Sequence, residues 1–526
     1  MPTLSIPFLF SFWSLDFNKH SQISTALLFF FLFIFALLWL QSKFQHPPLP
    51  PGPRGLPLLG YLPFLSTNLH HTFNNLAKMY GPIFKLRLGT KLCVVLTSPS
   101  SVNEVLRHQE TVFDNRDATV SALLATYGGV DIVFSQNESI WKKLRKIFAR
   151  KMLSKSNLDA SYPLRRREVR KIIKGVLESA GTPIDISKLS LMAAVKSVMA
   201  MTWGGSRGLI GVDGADLEAK FMEVVNELMV LLGTPNLSDL FPVLGGLDLQ
   251  GIGRKMKKVM NVFDGIFNSA IEEQRKRGGD GMENRGFLQL LLEVMEGEDS
   301  SESITDKELK ALLVDIIIGG TDTTSTTIEW TIAELIQQPN IMKKVKEELT
   351  KVVGLNQMVE EFHLSKLHYL DAAIKETLRL HPPVPLLVPR TTNQRTTLEG
   401  YTIPKSSTIY FNIWAIQRDP KIWDNPLDFM PERFLNESNE NMYDFTGNKI
   451  EFCPFGAGKK LCVGIPLAER LLVLILASLL HGFEWKLPEG STLDLEEKFG
   501  IVSKKLNPLV VIPTPRLSNL ELYNMM

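Results

Sequence analysis

The run Pro454-Phe455-Gly456-Ala457-Gly458-Lys459-Lys460-Leu461-Cys462-Val463-Gly464 leads directly into an apolar segment, Ile465 to about Leu480, that reads as a helix. Cys462 lies at its centre. Glycines on both sides remove side chains that would hold a flat cofactor away from the backbone, and they permit the positive φ angles that a tight loop needs. A thiol held in such a loop at the start of a helix meets backbone N–H groups and the positive end of the helix dipole, so the thiolate is expected to be favoured over the thiol. A thiolate is the form that binds a metal. The competing reading of these residues alone is a glycine-rich turn around a buried, inert cysteine.

The run resembles the haem-binding signature of the cytochrome P450 family, Phe-x-x-Gly-x-Arg-x-Cys-x-Gly, with Phe455, Gly458, Cys462 and Gly464 in place. Lys460 stands where the family usually has arginine, a point charge in place of a planar two-pronged donor. The resemblance implies haem b (iron protoporphyrin IX), with Cys462 as the axial ligand of its iron and Lys460 facing a propionate. Cys453, just outside the loop, reads as a small packed residue rather than a second ligand.

A second constellation lies upstream. Thr305 and Glu308 make a capping box, and a helix is predicted from Asp306 to Gln338, ending before Pro339 and long enough to cross the molecule. In its middle stands Gly319-Gly320-Thr321-Asp322-Thr323-Thr324. Paired glycines and a run of hydroxyls are poor helix formers, and threonine can bond back to a carbonyl, so the helix is expected to open or kink here. An opened turn leaves room for a small ligand and water, with Asp322 and Thr323 as a protonatable relay. The stretch is similar to the P450 motif Ala/Gly-Gly-x-Asp/Glu-Thr-Thr/Ser. That resemblance implies that Thr323 steadies the oxygen being activated and Asp322 feeds it protons.

Three further segments extend the match. Trp141 and Arg145, at i and i+4, share one helix face; alone they fit a solvated basic helix, but they also resemble the family's Trp-x-x-x-Arg, which implies donors to the haem propionates. Glu376 and Arg379, at i and i+3 before Pro382-Pro383, read alone as a surface ion pair. With Pro431-Glu432-Arg433-Phe434 they resemble the family's buried network of Glu376, Arg379 and Arg433, a structural backing for the cysteine loop. Val384-Pro-Leu-Leu-Val-Pro-Arg390 is an apolar run expected to be extended, or else a plain edge strand. In the family such a run passes the haem edge, which makes Val384, Leu386 and Leu387 pocket walls and Arg390 a propionate partner. Ile316, Gly319, Gly320 and Ile501 complete the expected substrate pocket.

Composition sets the frame. The 526 residues carry Lys+Arg 58 against Asp+Glu 56, a net charge of +2, so no global footprint for nucleic acid is present. Three cysteines exclude a disulfide framework and fit a reducing compartment. Nine histidines show no paired ligand spacing, and none is assigned to a metal. Residues 23–40 are apolar all round and uncharged, and eighteen residues rise about 27 Å, enough to span a bilayer. They read as a retained signal anchor; the long preceding segment and the lack of a small-x-small site argue against cleavage. Residues 1–22 are expected at the lumenal side or in the interface. Lys43 and Arg54 after the span place the bulk of the chain in the cytosol. Residues 41–60 are proline-rich and read as a stiff hinge, similar to that of microsomal P450s. Residues 61–526 form the catalytic domain.

The fold class is therefore mainly α, a P450 fold with small β-sheets plus an N-terminal transmembrane helix. Strands are expected at Ile83 to Leu88 and Val94 to Thr97, at Thr397 to Ile403 and Ser407 to Asn412, and near the C-terminus. The resemblance is to a plant-type monooxygenase of the endoplasmic reticulum membrane, working in secondary metabolism with dioxygen and with NADPH-derived electrons from NADPH-cytochrome P450 reductase. No nicotinamide or flavin motif is found, so electrons come from that partner. Lys142, Lys143, Lys146, Lys459 and Arg470 could steer it, or serve as ordinary solvated cations. Apolar pocket segments favour hydroxylation of a small lipophilic terpenoid, with a phenolic or flavonoid as the other substrate class. Two alternatives stay open from sequence: an O2-independent rearranging enzyme, and a non-catalytic membrane haem sensor or carrier.

Overall fold

Helical periodicity dominates the sequence between Leu69 and Leu380, and the chain follows it. The computed structural model describes residues 27, 29–34, 47–136, 138–204, 214–277, 286–297, 303–435 and 443–525. Among these are twelve helices of ten or more residues: α1 (Leu69–Tyr80), α2 (Glu138–Ile147), α3 (Tyr162–Glu178), α4 (Ile186–Trp203), α5 (Gly214–Gly233), α6 (Ile252–Arg277), α7 (Phe287–Glu296), α8 (Asp306–Gly320), α9 (Asp322–Gln337), α10 (Pro339–Val352), α11 (His368–Leu380) and α12 (Ile465–Gly482). The fold is mainly helical with small sheets, as the sequence implies.

The predicted long helix is two successive pieces. The Thr305–Glu308 capping box starts α8. The ladder breaks at Thr321 (φ −101°, ψ −72°), and α9 begins at Asp322. Hydroxyls bond back at the break, Thr321 Oγ1 donating to Ile317 O and Thr323 Oγ1 to Gly319 O, both at 2.7 Å, beside the paired glycines Gly319 and Gly320, poor helix formers. Helices α4, α10, α11 and α12 surround α9, which is why nearly all of it is buried. α12 is apolar on most faces and has the length and hydropathy of a membrane span, but two thirds of it is buried inside the protein, so it is a core helix.

The small sheets frame one side. The largest has strand order β1-β2-β8-β5-β3, from β1 (Ile83–Leu88), β2 (Lys91–Leu96), β3 (Asn115–Arg116), β5 (Arg390–Thr391) and β8 (Thr408–Phe411). β2 and β8 run parallel and the other neighbours antiparallel. The expected strand at Thr397 to Ile403 is instead a hairpin, β6 (Thr396–Leu398) and β7 (Tyr401–Ile403), because Glu399 and Gly400 turn with φ of 43° and 83°. β4 (Ile184–Asp185), β12 (Val510–Pro515) and β9 (Phe483–Lys486) form a second sheet, and β10 (Glu497–Lys498) pairs with β11 (Lys504–Lys505).

The run Val384 to Arg390 is not extended as expected. It turns at Leu387, whose φ is +50°, with Leu387 N–H donating to Val384 O at 3.0 Å. Of the hinge, residues 47–60 are described. Their prolines lie against the body, with Pro51 O accepting from Lys85 N–H at 2.8 Å and Pro48 O from Thr402 N–H at 2.9 Å. Of the expected span 23–40 only 27 and 29–34 are described, helical and with exposed apolar side chains. The 1–22 segment and residues 41–46 lie outside the described residues.

Candidate functional site

The cysteine loop is built by local hydrogen bonds. Gly456 N–H donates to Cys453 O at 2.9 Å and Cys462 N–H to Phe455 O at 3.0 Å, closing the loop on both sides of a short turn at Gly458–Lys460. Gly456 and Gly458 have φ of +80° and +71°, as expected. Their reasons differ. A Cβ on Gly456 would meet open space, so its glycine serves the backbone angle alone. One on Gly458 would lie 2.5 Å from Leu106 O and from Glu110 Oε1. Gly458 therefore admits a neighbouring chain segment.

Cys462 faces a large internal cavity of about 1480 Å³. Gly464 N–H donates to its Sγ at 3.3 Å. The N–H groups of Gly464 and Ile465 and the charge of Arg145 do favour the thiolate, yet burial outweighs them and raises the thiol above its ordinary value. The preference for thiolate expected from the loop and helix end is therefore opposed by burial. Cys453 is buried, donates to Ile450 O and is pushed up to about 12, so it is the packed residue the sequence suggested.

The same cavity gathers most of the predicted residues. Ile316, Gly319, Gly320, Thr323, Val384, Leu386, Leu387, Ile501, Phe455 and Gly464 all line it, as do Arg145, Arg390 and Lys460. Trp141 sits just behind, its ring 4.1 Å from Lys460 Nζ. Asp322 does not line it; its carboxylate pairs with Lys504.

The cation cluster carries a residue that the sequence reading missed. Arg116 stands directly opposite Arg390 in the β3–β5 register and lines the same wall. Like charges placed opposite each other across strands repel. Burial and mutual repulsion push Arg116 down to about 9, burial takes Arg390 to about 10, and burial with Arg116 takes Lys460 to about 8. Arg390 Nη1 and Trp141 Nε1 are buried without a hydrogen-bond partner. Two buried arginines and two half-buried cations, with unsatisfied donors on Arg390 and Trp141, beside a thiol fit a flat dianion whose metal meets the sulfur, which is the chemistry of an iron porphyrin with two propionates. Arg116→Leu is expected to lower haem retention about tenfold, the order lost when a supporting contact of a metal site goes, read from the haem-to-protein ratio after gel filtration.

Asp315 lines the cavity and is paired with Asp131, which stands outside its wall. Asp315 Oδ2 accepts from Ile132 N–H at 2.8 Å, and Asp131 accepts from Val133 and Phe134 N–H groups, so the pair ties the 131–134 segment to α8. Burial pushes Asp131 up to about 6 and, with the Asp131 charge, holds Asp315 well above the carboxylate range. A carboxyl raised on folding binds more protons folded than unfolded, so its contribution to stability falls as pH rises from about 4 through the folded value. Asp315→Asn removes that loss. Its stability relative to wild type is expected to improve between pH 4 and 7, by up to about 1.4 kcal/mol per pH unit for one proton, measured by urea unfolding.

His70 and His71, on α1, bring their Nε2 atoms 2.9 and 2.6 Å from Glu497 Oε1, a grouping not assigned from sequence because 427 residues separate the first pair. His70 Nδ1 has no acceptor, which a metal-ligating imidazole needs. The trio is an anchor for β10. The expected buried network is present: Glu376 Oε2 meets Arg379 Nε at 2.7 Å and Oε1 meets Arg433 Nε at 3.0 Å. Of the cations offered for steering a partner, Lys142 pairs with Glu138, Lys143 with Glu308 and Arg470 with Asp159.

Comparisons with known proteins agree with this geometry. A sequence model of the family described as Cytochrome P450 matches residues 50–512. A flavonoid 3'-monooxygenase of Crocosmia x crocosmiiflora is 38% identical over 93% of this chain and 96% of its own. A geraniol 8-hydroxylase of Swertia mussotii is 38% identical over 92% and 98%, and a drimenol monooxygenase of Persicaria hydropiper 38% over 91% and 94%. Among solved structures, a zebrafish cytochrome P450 with progesterone is similar at TM-score 0.72 and 27% identity, covering 85% of this chain and 99% of that one.

Proposed function

The chain belongs to the cytochrome P450 family, and from that premise we propose that Cys462 is the iron ligand of a terpenoid hydroxylase anchored in the endoplasmic reticulum membrane. The enzyme is a haem b monooxygenase that hydroxylates a small lipophilic substrate with O2 and electrons from a redox partner. The haem, when bound, activates dioxygen for insertion of one oxygen atom into the substrate.

The chain's own residues do the rest. Arg116, Arg145, Arg390 and Lys460 would hold the propionates, and Trp141 behind them would add an N–H donor. Thr323, whose hydroxyl hydrogen goes to Gly319 O at the helix break, presents its oxygen to the cavity as an acceptor, and Asp322 next to it holds and passes protons. Val384, Leu386, Leu387, Ile316 and Ile501 exclude water and orient the substrate.

The observation that carries the terpenoid reading is that the lining residues Ile316, Val384, Leu386, Leu387 and Ile501 are all aliphatic, beside polar lining residues that include Asp315, Thr323, Asn68, Asn236 and Asp239. An acyclic or bicyclic terpenoid fills such a wall without leaving hydroxyls unpaired. A flavonoid substrate is the second reading, favoured by the relatives named as flavonoid 3'-monooxygenases. Residues 23–40 as a single-pass anchor, with the catalytic domain cytosolic, and NADPH-cytochrome P450 reductase as the electron donor complete the proposal. The test is a microsomal preparation with that reductase, offered geraniol, drimenol and a flavonoid. Type I spectral shifts and hydroxylated products from the terpenoids, without either from the flavonoid, support the reading; the reverse overturns it.

A further inference from the structure

Side chains alternate along a strand, so the largest sheet shows two different faces. On β8, Ile409 and Phe411 pack with Ala457 of the cysteine loop and its neighbour Cys453, while Tyr410 turns the other way, onto the group that holds Phe73 and Leu386. β2 alternates in step, with Cys93 beside Thr408 and Val95 beside Tyr410 in the parallel register. The face turned from the cysteine loop therefore carries a polar row, of which Lys91, Cys93 and Tyr410 line the cavity.

Asp117, just past β3, engages most of that row. Its Oδ1 accepts from Lys91 Nζ and its Oδ2 from the Thr408 hydroxyl, both at 2.7 Å. Asp239, in the single helical turn Leu237–Leu240, lies within reach of both the Lys91 and Asp117 charges and accepts from Val120 N–H at 2.8 Å. Tyr410 differs: among the described residues nothing donates to or accepts from its hydroxyl. Burial, with Cys93 and Asp117 nearby, holds the phenol well above its ordinary value, so it stays a neutral O–H donor. Its ring lies 5.5 Å from that of Phe73. A donor placed in a cavity without an acceptor costs free energy that an incoming oxygen atom recovers.

We propose that Tyr410 is a specificity-determining residue whose phenol hydrogen-bonds a hydroxyl already present on the substrate, so that the enzyme takes a terpenoid alcohol by its oxygenated end. The inference deepens the terpenoid reading above and rests on it. A neutral hydroxyl is the oxygen function that fits. Asp117 and Asp239 set two carboxylates against the single ammonium of Lys91, so a carboxylate or phosphate at this row is repelled. Because Tyr410 stands on the sheet face turned from the cysteine loop, the hydrocarbon end of the substrate is the one left to reach Cys462. The substrate is then supplied by a reaction that makes an alcohol, an earlier hydroxylation or the hydrolysis of a phosphate ester, and hydroxylation at the other end makes it a diol.

The test measures type I spectral Kd values for the holoenzyme and for Tyr410→Phe, which keeps the ring and its packing on Phe73. The probes are geraniol, ionised geranic acid, and myrcene, an acyclic hydrocarbon of similar shape without the hydroxyl. Tyr410→Phe is expected to weaken geraniol about fivefold, the ratio that one neutral hydrogen bond supplies, and to leave myrcene unchanged. Wild type should bind geraniol more tightly than the ionised acid. With reductase, the products from geraniol should spread over more positions in the variant than in wild type. Unchanged geraniol affinity in Tyr410→Phe, or an equal loss for geraniol and myrcene, overturns the anchor and leaves the terpenoid reading. Tighter binding of the acid than of geraniol overturns the hydroxyl as the group held. No shift of wild type with geraniol or myrcene overturns the terpenoid reading itself, and the anchor with it.

Discussion

Cys462→Ser should give a folded protein that binds little haem, lacks the red-shifted carbon monoxide band of thiolate-ligated haem and forms no product. The geometry separates this result from general unfolding. Cys462 makes one side-chain hydrogen bond, from Gly464 N–H, and its backbone bond to Phe455 O does not depend on the side chain. Far-UV circular dichroism should therefore match wild type. The hydroxyl is shorter and does not ionise near neutral pH, and no other thiol is in reach: Cys453 is buried and held near 12, and Cys93 likewise. Loss of haem affinity should exceed the ~10–100-fold that follows removal of a mere supporting contact. Retention of the red-shifted band in the serine variant would sink the assignment of Cys462.

Glu376→Gln should be the largest stability defect away from the cysteine loop. Glu376 and Arg379 are both fully buried, and the guanidinium donates to both carboxylate oxygens at 2.7 and 2.8 Å. Arg379 Nη1 also donates to Gln417 O and Pro426 O, and Met430 N–H donates to Glu376. Gln417 in turn accepts from Cys453 N–H, at the foot of the cysteine loop. Neutralising Glu376 leaves the buried Arg379 without its counter-charge, which costs about 3–5 kcal/mol when one member of such a pair is removed. Haem loss should accompany it, because the strained member is two links from the loop that holds Cys462. Arg433→Ala should cost less, since its side chain keeps 11% exposure and water can take its place. Haem content and the thermal midpoint check both; an Arg433→Ala defect as large as that of Glu376→Gln would show that the charge balance is not centred on Glu376.

Much of the site was legible from sequence because each motif is contiguous. The Cys462 loop, the Gly319–Thr324 break, the capping box and the Glu376–Arg379 pair are local patterns, and a helix or tight turn fixes their geometry within a few residues. The pocket walls Ile316, Val384 and Leu387 were also found. Two local readings went astray for one reason, unrecognised turn chemistry: Glu399-Gly400 split a strand and Leu387 bent a run read as extended, both at positive φ.

What the sequence alone determined was the chemistry available: one cysteine in a glycine loop, hydroxyls that break a long helix, and cations spaced for a propionate-bearing ring. Only the tertiary structure decided how distant segments meet. It set Arg116 against Arg390 across β3 and β5, Lys504 on Asp322, His70 on Glu497 and Gly458 against Leu106. It also set the burial that opposes ionisation of the Cys462 thiol, since burial is a property of everything packed around a residue. Pairings between segments hundreds of residues apart depend on strand register and packing, and those are fixed only once the whole chain has folded.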